Sequence, residues 1–382
     1  MASRLLPVVA ALLLLLLLTA ASSEATLHPV DYLALQAVRR ALSDLPGSRF
    51  FASWDFTGDP CSFAGVSCTA DGARVETLAL GDPRAGAPGL GGAFPSAAVA
   101  RLPALTSLSL VPGRVTGGLP AAVAALPSLR FLALAGNLLS GDLPRAFAPA
   151  LRTVDLSKNG FTGTVPAPLL QLRGLRTLVL SHNALSGEIP PEIGNCTSLV
   201  RFRASGNHLA GAIPPEVGRL GNLSFFDLSS NRLSGAIPAE IAGCRNLTFV
   251  DLHGNAIAGV LPPRLFHDML SLQYLDLSYN SIGGAIPPDI GKLGSLTKLV
   301  LGGNRLTGQI PPEIGSCSRL QLLDLGGNTL SGGIPASIGK IPGLEIALNL
   351  SCNGLSGAIP KEFGGLVRLG VLDVSHNQLS GD

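Results

Sequence analysis

Leucine and isoleucine recur through most of this chain at fixed positions of a period near 24 residues. Within one unit, Leu272-Gln-Tyr-Leu275-Asp-Leu277-Ser-Tyr-Asn280, the apolar residues alternate with polar ones. Period two predicts a short strand with Leu275 and Leu277 facing a core and Tyr274, Asp276 and Ser278 facing out. The whole unit reads LxxLxLxxNxLxGxIPxxIGxLxxL. Its Asn falls at Asn137, Asn159, Asn183, Asn207, Asn231, Asn255, Asn280, Asn304, Asn328, Asn353 and Asn377. Two degenerate copies precede these, with Pro88 and Gly113 at the Asn position, giving about thirteen copies of which the last is incomplete. Such self-similarity overrides a domain count drawn from length, because a solenoid grows in one dimension without splitting.

Each position has a physical reason. The Asn sits where the chain turns off the strand, and its amide can satisfy backbone groups of its own and the adjacent coil, forming a ladder. Gly permits the tight bend, and the Ile-Pro is expected to start a second edge that needs no amide donor. The unit resembles the plant extracellular type of leucine-rich repeat. That resemblance implies an α/β solenoid, a right-handed superhelix with a parallel concave β-sheet. At about 4.8 Å per strand, twelve complete copies make a curved rod of roughly 60 Å.

The chain opens differently. Residues 1–25 read as a secretory signal, with Arg4, an apolar run from Leu5 to Leu18, and small residues from Ala20 to Ala25. The run is short of the roughly 20 residues needed to span a bilayer. Residues 26–78 are expected to form an N-terminal cap: helical spacing over Val30 to Leu42, then Trp54-Asp55-Phe56 and Cys61-x6-Cys68. In an exported chain that Cys pair is expected to form a disulfide; a metal site would need two more ligands. Residues 79–382 carry the repeats. The last residues, Leu379 to Asp382, stop partway through a unit with no C-terminal cap, as in a fragment or a truncated gene model. Membrane attachment would then need further sequence.

Among 382 residues, 27 Lys and Arg balance 25 Asp and Glu with no basic block, which argues against nucleic acid as a partner. Despite 47 Gly and 29 Pro, the apolar fraction of 46% is enough to bury a large core. Cys196, Cys244 and Cys317 share one position in coils too far apart for a disulfide, so they are expected as buried thiols; Cys352, beside Asn353, is expected to be free. Sequons at Asn195, Asn222, Asn246 and Asn349 suit an exported glycoprotein. Asn349 takes an outward strand position, so a glycan there would block the concave face and leave partners to bind N-terminal to it. No kinase or phosphate-binding motif occurs, no cofactor is implied, and the six His residues form no metal cluster. His253 beside Asp251 is the nearest approach to a catalytic pair and reads as surface polarity.

On the concave face, the residue four before each Asn gives a central column dominated by Asp, which reads as repeat consensus. The exception is Leu199-Val200-Arg201-Phe202-Arg203, where Arg201 and Arg203 must share the outward face. Two adjacent guanidiniums can take a carboxylate or sulfate by bidentate hydrogen bonds. Alternatively, Arg203 pairs with Asp227 on the next strand, for at most about 1 kcal/mol.

Residues 186–382 carry Gly194-Asn-Cys-Thr-Ser-Leu-Val-Arg-Phe-Arg203, Gly243-Cys-Arg-Asn-Leu-Thr-Phe-Val-Asp-Leu-His253 and Ile341-Pro-Gly-Leu-Glu-Ile-Ala-Leu-Asn-Leu-Ser351. They resemble the ectodomains of plant receptor kinases, above all the group perceiving root meristem growth factor peptides. The resemblance implies that Arg201 and Arg203 hold the free carboxylate of a peptide's last residue, with Phe225, Asp227, Phe249 and Asp251 as the walls of that pocket. It also implies an LRR co-receptor kinase as a second partner.

Residues 28–120 carry Ser48-Arg-Phe-Phe-Ala-Ser-Trp-Asp-Phe-Thr-Gly-Asp-Pro-Cys61, Leu80-Gly-Asp-Pro-Arg-Ala-Gly86 and Val111-Pro-Gly-Arg-Val-Thr-Gly117. These resemble secreted plant repeat proteins that have no kinase, and the two resemblances together imply a join of two lineages near residue 190, by natural fusion, gene-model error or construction. The expected function is an extracellular module binding a peptide or protein on its concave face, as part of a receptor kinase or receptor-like protein, and not an enzyme. The alternative is a soluble apoplastic decoy or defence protein, like the polygalacturonase inhibitors. The expected location is the apoplast or the outer face of the plasma membrane.

Overall fold

The computed structural model describes residues 26–84 and 86–381; the signal segment proposed for residues 1–25 lies outside them. Helix Pro29–Ala41 begins with a proline where no amide donor is needed, and buries Ala34, Leu35 and Val38. Asp31 in its first turn is fully buried. It takes Arg74 through two nitrogens, the shorter contact 2.7 Å, and the Val75 N–H at 2.8 Å, which ties the helix to the first coil. Trp54 is buried among Phe50, Phe51 and Phe63, and the Cys61–Cys68 disulfide closes the loop beside them.

A 14-stranded sheet then runs the length of the chain. Its first strand, Val66–Cys68, lies antiparallel to Val75–Leu80; every later one, to Val371–Asp373, adds in parallel. The register repeats without slip, Leu178 beside Phe202 and Phe202 beside Phe226, because a one-residue slip would turn every core side chain to solvent. The inward residues form one continuous core.

Each ladder Asn behaves alike. Asn231 accepts from Leu209 N–H at 3.0 Å and donates to the Ala204, Leu228 and Ser229 carbonyls. The residue before the Asn is left-handed in coil after coil. It is glycine at 136, 206, 254, 303 and 327, and Lys158, His182, Ser230, Tyr279, Cys352 and His376, with φ of 52–57°, elsewhere.

Two details depart from the sequence reading. The second edge is made by strands just after the Asn, such as Arg305–Gln309, while the Ile-Pro that follows leads into a 3₁₀ turn, Pro312–Ser316, capped by Pro311. A fixed φ suits that turn's first position, which needs no donor, better than a ladder strand that does. In the first coil, Leu78 pairs with Leu108, so Pro83, not Pro88, falls five residues on at the Asn place; Pro88 belongs to an added loop before Leu90–Ala93.

Candidate functional site

Two columns of side chains leave the concave sheet. One runs Thr177, Arg201, Phe225, Phe249, Tyr274, Lys298; the other, two residues on, runs Val179, Arg203, Asp227, Asp251, Asp276, Val300. In the first column the aromatic rings stack: Phe225 on Phe249 with centroids 4.0 Å apart and planes 4° apart, Phe249 on Tyr274 at 4.3 Å and 9°. The guanidinium carbons of Arg201 and Arg203 lie 4.9 Å and 5.3 Å from the Phe225 centroid, and the Lys298 ammonium 6.0 Å from that of Tyr274.

Arg203 pairs with Asp227 on the next strand, one of the two alternatives expected of it. Its Nε donates to Asp227 Oδ2 at 3.2 Å, which leaves its terminal amino groups available. Arg201 is exposed and makes no ion pair among the described residues.

The carboxylates of the second column are already engaged by neighbouring groups. Asp227, Asp251 and Asp276 are all buried. Asp227 accepts from Ser205 Oγ and from the N–H and Oγ of Ser229; Asp276 does likewise from Ser278 and from the Tyr274 hydroxyl at 3.2 Å. Asn349 fills the same place, accepting from both groups of Ser351. Where a short polar acceptor stands in this column, it closes the turn two residues on. Burial raises the Asp251 and Asp324 carboxyls above their ordinary range.

His253 and Asp251 are more than surface polarity. Asp251 Oδ1 takes His253 Nδ1 at 2.8 Å and its N–H at 3.1 Å, and His253 Nε2 lies 3.4 Å from Ser230 Oγ. The order Ser, His, Asp is present, but Ser230 is exposed on the rim and its N–H is given to His253 O at 2.7 Å, so it offers no oxyanion donor. Asp251, His253 and Asp276 also offer ligand atoms within 4.8 Å of one another, each side chain already holding the turn as described.

The buried thiols are satisfied by the preceding coil: Cys196, Cys244 and Cys317 lie 3.2, 3.1 and 3.2 Å from the carbonyls of Leu170, Val217 and Ile290. Burial pushes Cys196 and Cys244 up to about 12 and Cys317 to about 11. Cys352 is exposed. Asn195, Asn222 and Asn246 are exposed too, whereas Asn349 Nδ2, the atom a glycan would take, donates to Asp324 Oδ1 at 2.9 Å. Far from the Arg pair, a cleft of about 590 Å³ is lined by Arg49, Phe50, Gly81, Arg84 and Val111, from the three segments that set the first half apart.

The leucine-rich repeat N-terminal domain matches residues 28–69. Repeat models match 150–172, 174–196, 222–244, 258–306, 319–341 and 346–366. The chain belongs to the leucine-rich repeat proteins, and its structural neighbours are plant receptor-kinase ectodomains. The plant peptide hormone receptor RGFR1, solved in complex with RGF2, is 43% identical over 76% of this chain and 50% of its own, with a TM-score of 0.68. PEPR1 with AtPEP1 gives 29% identity, coverage of 92% and 49%, and a TM-score of 0.81. The Arabidopsis receptor kinase HAESA, with the peptide hormone IDA and the co-receptor SERK1, gives 26%, coverage of 92% and 83%, and 0.52. The chain spans about half the length of the first two. No curated protein matches it in sequence. No described helix is long and apolar enough to cross a membrane.

Proposed function

We propose that this chain is an extracellular ligand-binding module, part of a receptor kinase or receptor-like protein, that holds the C-terminal carboxylate of an extended peptide at Arg201 and Arg203. One observation carries this: two guanidiniums leave one strand over a single aromatic ring on the concave sheet. A carboxylate bridging them would gain charge-assisted, bidentate hydrogen bonds. The peptides bound by RGFR1, PEPR1 and HAESA support a ligand of that class, and HAESA's co-receptor supports a second protein partner.

The RGF2 peptide is the first probe, measured by calorimetry with a free and with an amidated C-terminus. Binding of the free acid, weakened by roughly 1.5–3 kcal/mol on amidation or on Arg201→Ala or Arg203→Ala, is the expected result. A peptide that binds equally well in all of these cases would show that the carboxylate is not held there.

A further inference from the structure

The aromatic column has a role of its own. Arg201, exposed, and Arg203, half-buried and paired with Asp227, are like charges on one strand, and repulsion acts to drive their guanidiniums apart. They do not part: both sit over the same face of Phe225. The other face of that ring is covered by Phe249, whose far face is covered by Tyr274. Tyr274 is pinned by its hydroxyl to Asp276 Oδ2 and faced by Lys298.

Near-parallel rings bring like quadrupoles together, an arrangement favoured only when offset or when charges of opposite sign to the ring faces lie at the ends. Here a cation lies at each end of the stack. The rings are thus held by their end charges and return the favour, drawing two guanidiniums onto one face.

We propose that Phe225 is a positioning residue for anion recognition: its ring, backed by Phe249 and Tyr274, keeps Arg201 and Arg203 side by side, ready to share one carboxylate. The resemblance implied Phe225 and Phe249 as pocket walls; the geometry makes Phe225 the platform beneath the two cations. This deepens the carboxylate reading and rests on it for the ligand, though the stacking itself can be read without any ligand.

The test uses the whole chain labelled with ¹⁵N-arginine. Side-chain Nε–H resonances of Arg201 and Arg203, assigned through the Arg→Lys variants, are expected upfield of the other arginines because of the Phe225 ring current. Phe225→Leu keeps the bulk but removes the π-face, and is expected to abolish that shift; Phe225→Tyr is expected to keep it. N-acetyl-Ala-Ala with a free carboxylate, and its amide, then probe binding through the same resonances. The expected result is that Phe225→Leu binds the acid roughly five- to tenfold more weakly than the parent while Phe225→Tyr matches the parent.

Unshifted arginine resonances in the parent chain overturn the proposal without any variant. So does a Phe225→Leu protein that binds the acid as the parent does, and in that case the carboxylate reading stands. If the shifts are present but acid and amide act alike, the carboxylate reading fails, and the proposal falls with it as a statement about recognition.

Discussion

Asn207 closes the turn after the Arg201–Arg203 strand, and replacing it with Ala measures what one rung of the ladder contributes. The residue is 5% exposed. Its Oδ1 accepts from Leu185 N–H at 3.0 Å, and its Nδ2 donates to the carbonyls of Leu180 at 3.0 Å, Ala204 at 3.1 Å and Ser205 at 3.3 Å. Truncation does not strand all four groups. Leu180 O keeps Asn183 Nδ2 at 3.0 Å, Ala204 O keeps Asn231 Nδ2 at 2.9 Å, and Ser205 O keeps His182 N–H at 2.8 Å. Leu185 N–H is left alone in the core. An orphaned buried donor costs about 1–3 kcal/mol, and the lost bonds to carbonyls about 1 kcal/mol more, so Asn207→Ala is expected to cost about 2–4 kcal/mol.

Because each coil contacts only its neighbours, the loss should centre on the coils carrying Leu185 and Asn207 rather than spread along the rod. Urea unfolding followed by circular dichroism gives the size, and amide hydrogen exchange gives the place, with Leu185 losing protection first. Thr297→Ala is the control. It removes one hydroxyl bond to Gln273 O at 2.8 Å, and that carbonyl keeps the Thr297 N–H, so under about 1 kcal/mol is expected. An Asn207→Ala protein no less stable than Thr297→Ala would refute the accounting, since it would mean the Leu185 donor was never dependent on the ladder.

Native chain treated with iodoacetamide near pH 8 should gain one carbamidomethyl group, at Cys352; Cys196, Cys244 and Cys317 are buried with thiols held well above that pH, and mass spectrometry of native against unfolded protein checks it. Asp251→Asn should raise the urea midpoint at pH 7, because Asn349 already serves in that column and burial makes the charged Asp251 carboxylate costly. A raised carboxyl pKa contributes stability below the unfolded value and loses it as pH rises, so the gain over the parent should close as pH falls below about 4; a gap constant with pH would count against it.

The core and the ladder were legible because each rests on a residue type repeated at a fixed interval: Leu at the inward positions, Asn at the turn. The disulfide was legible from Cys61 and Cys68 for the same kind of reason, a short spacing in a chain whose opening residues read as an export signal. What the Asp column does in each turn was not legible, because a single strand position says nothing about where a short side chain bends. The sign was present in Asp227-x-Ser229, Asp276-x-Ser278 and Asn349-x-Ser351, where an acceptor stands two residues before a hydroxyl. The Ser230, His253 and Asp251 chain was hidden because it joins two coils. The cleft near the cap was also out of reach, although Ser48–Cys61, Leu80–Gly86 and Val111–Gly117 had each stood out: segments that break a repeat have no register to place them.

The two outward columns therefore do different work, and this decides where recognition can reside. Carboxylates at 227, 251 and 276 are committed to Ser229, His253 and Ser278, so a ligand meeting that column meets groups already satisfied. The neighbouring column has no such duty. Arg201, Phe225, Phe249, Tyr274 and Lys298 meet one another mainly through ring faces on the concave sheet. Changes in the Asp column should be felt as stability and changes in the aromatic column as affinity. Tyr274 touches both through its hydroxyl on Asp276, and Arg203 does so beside the anion site, through Asp227 on one side and Phe225 on the other, and so it couples the closing of the turn to the placing of the anion.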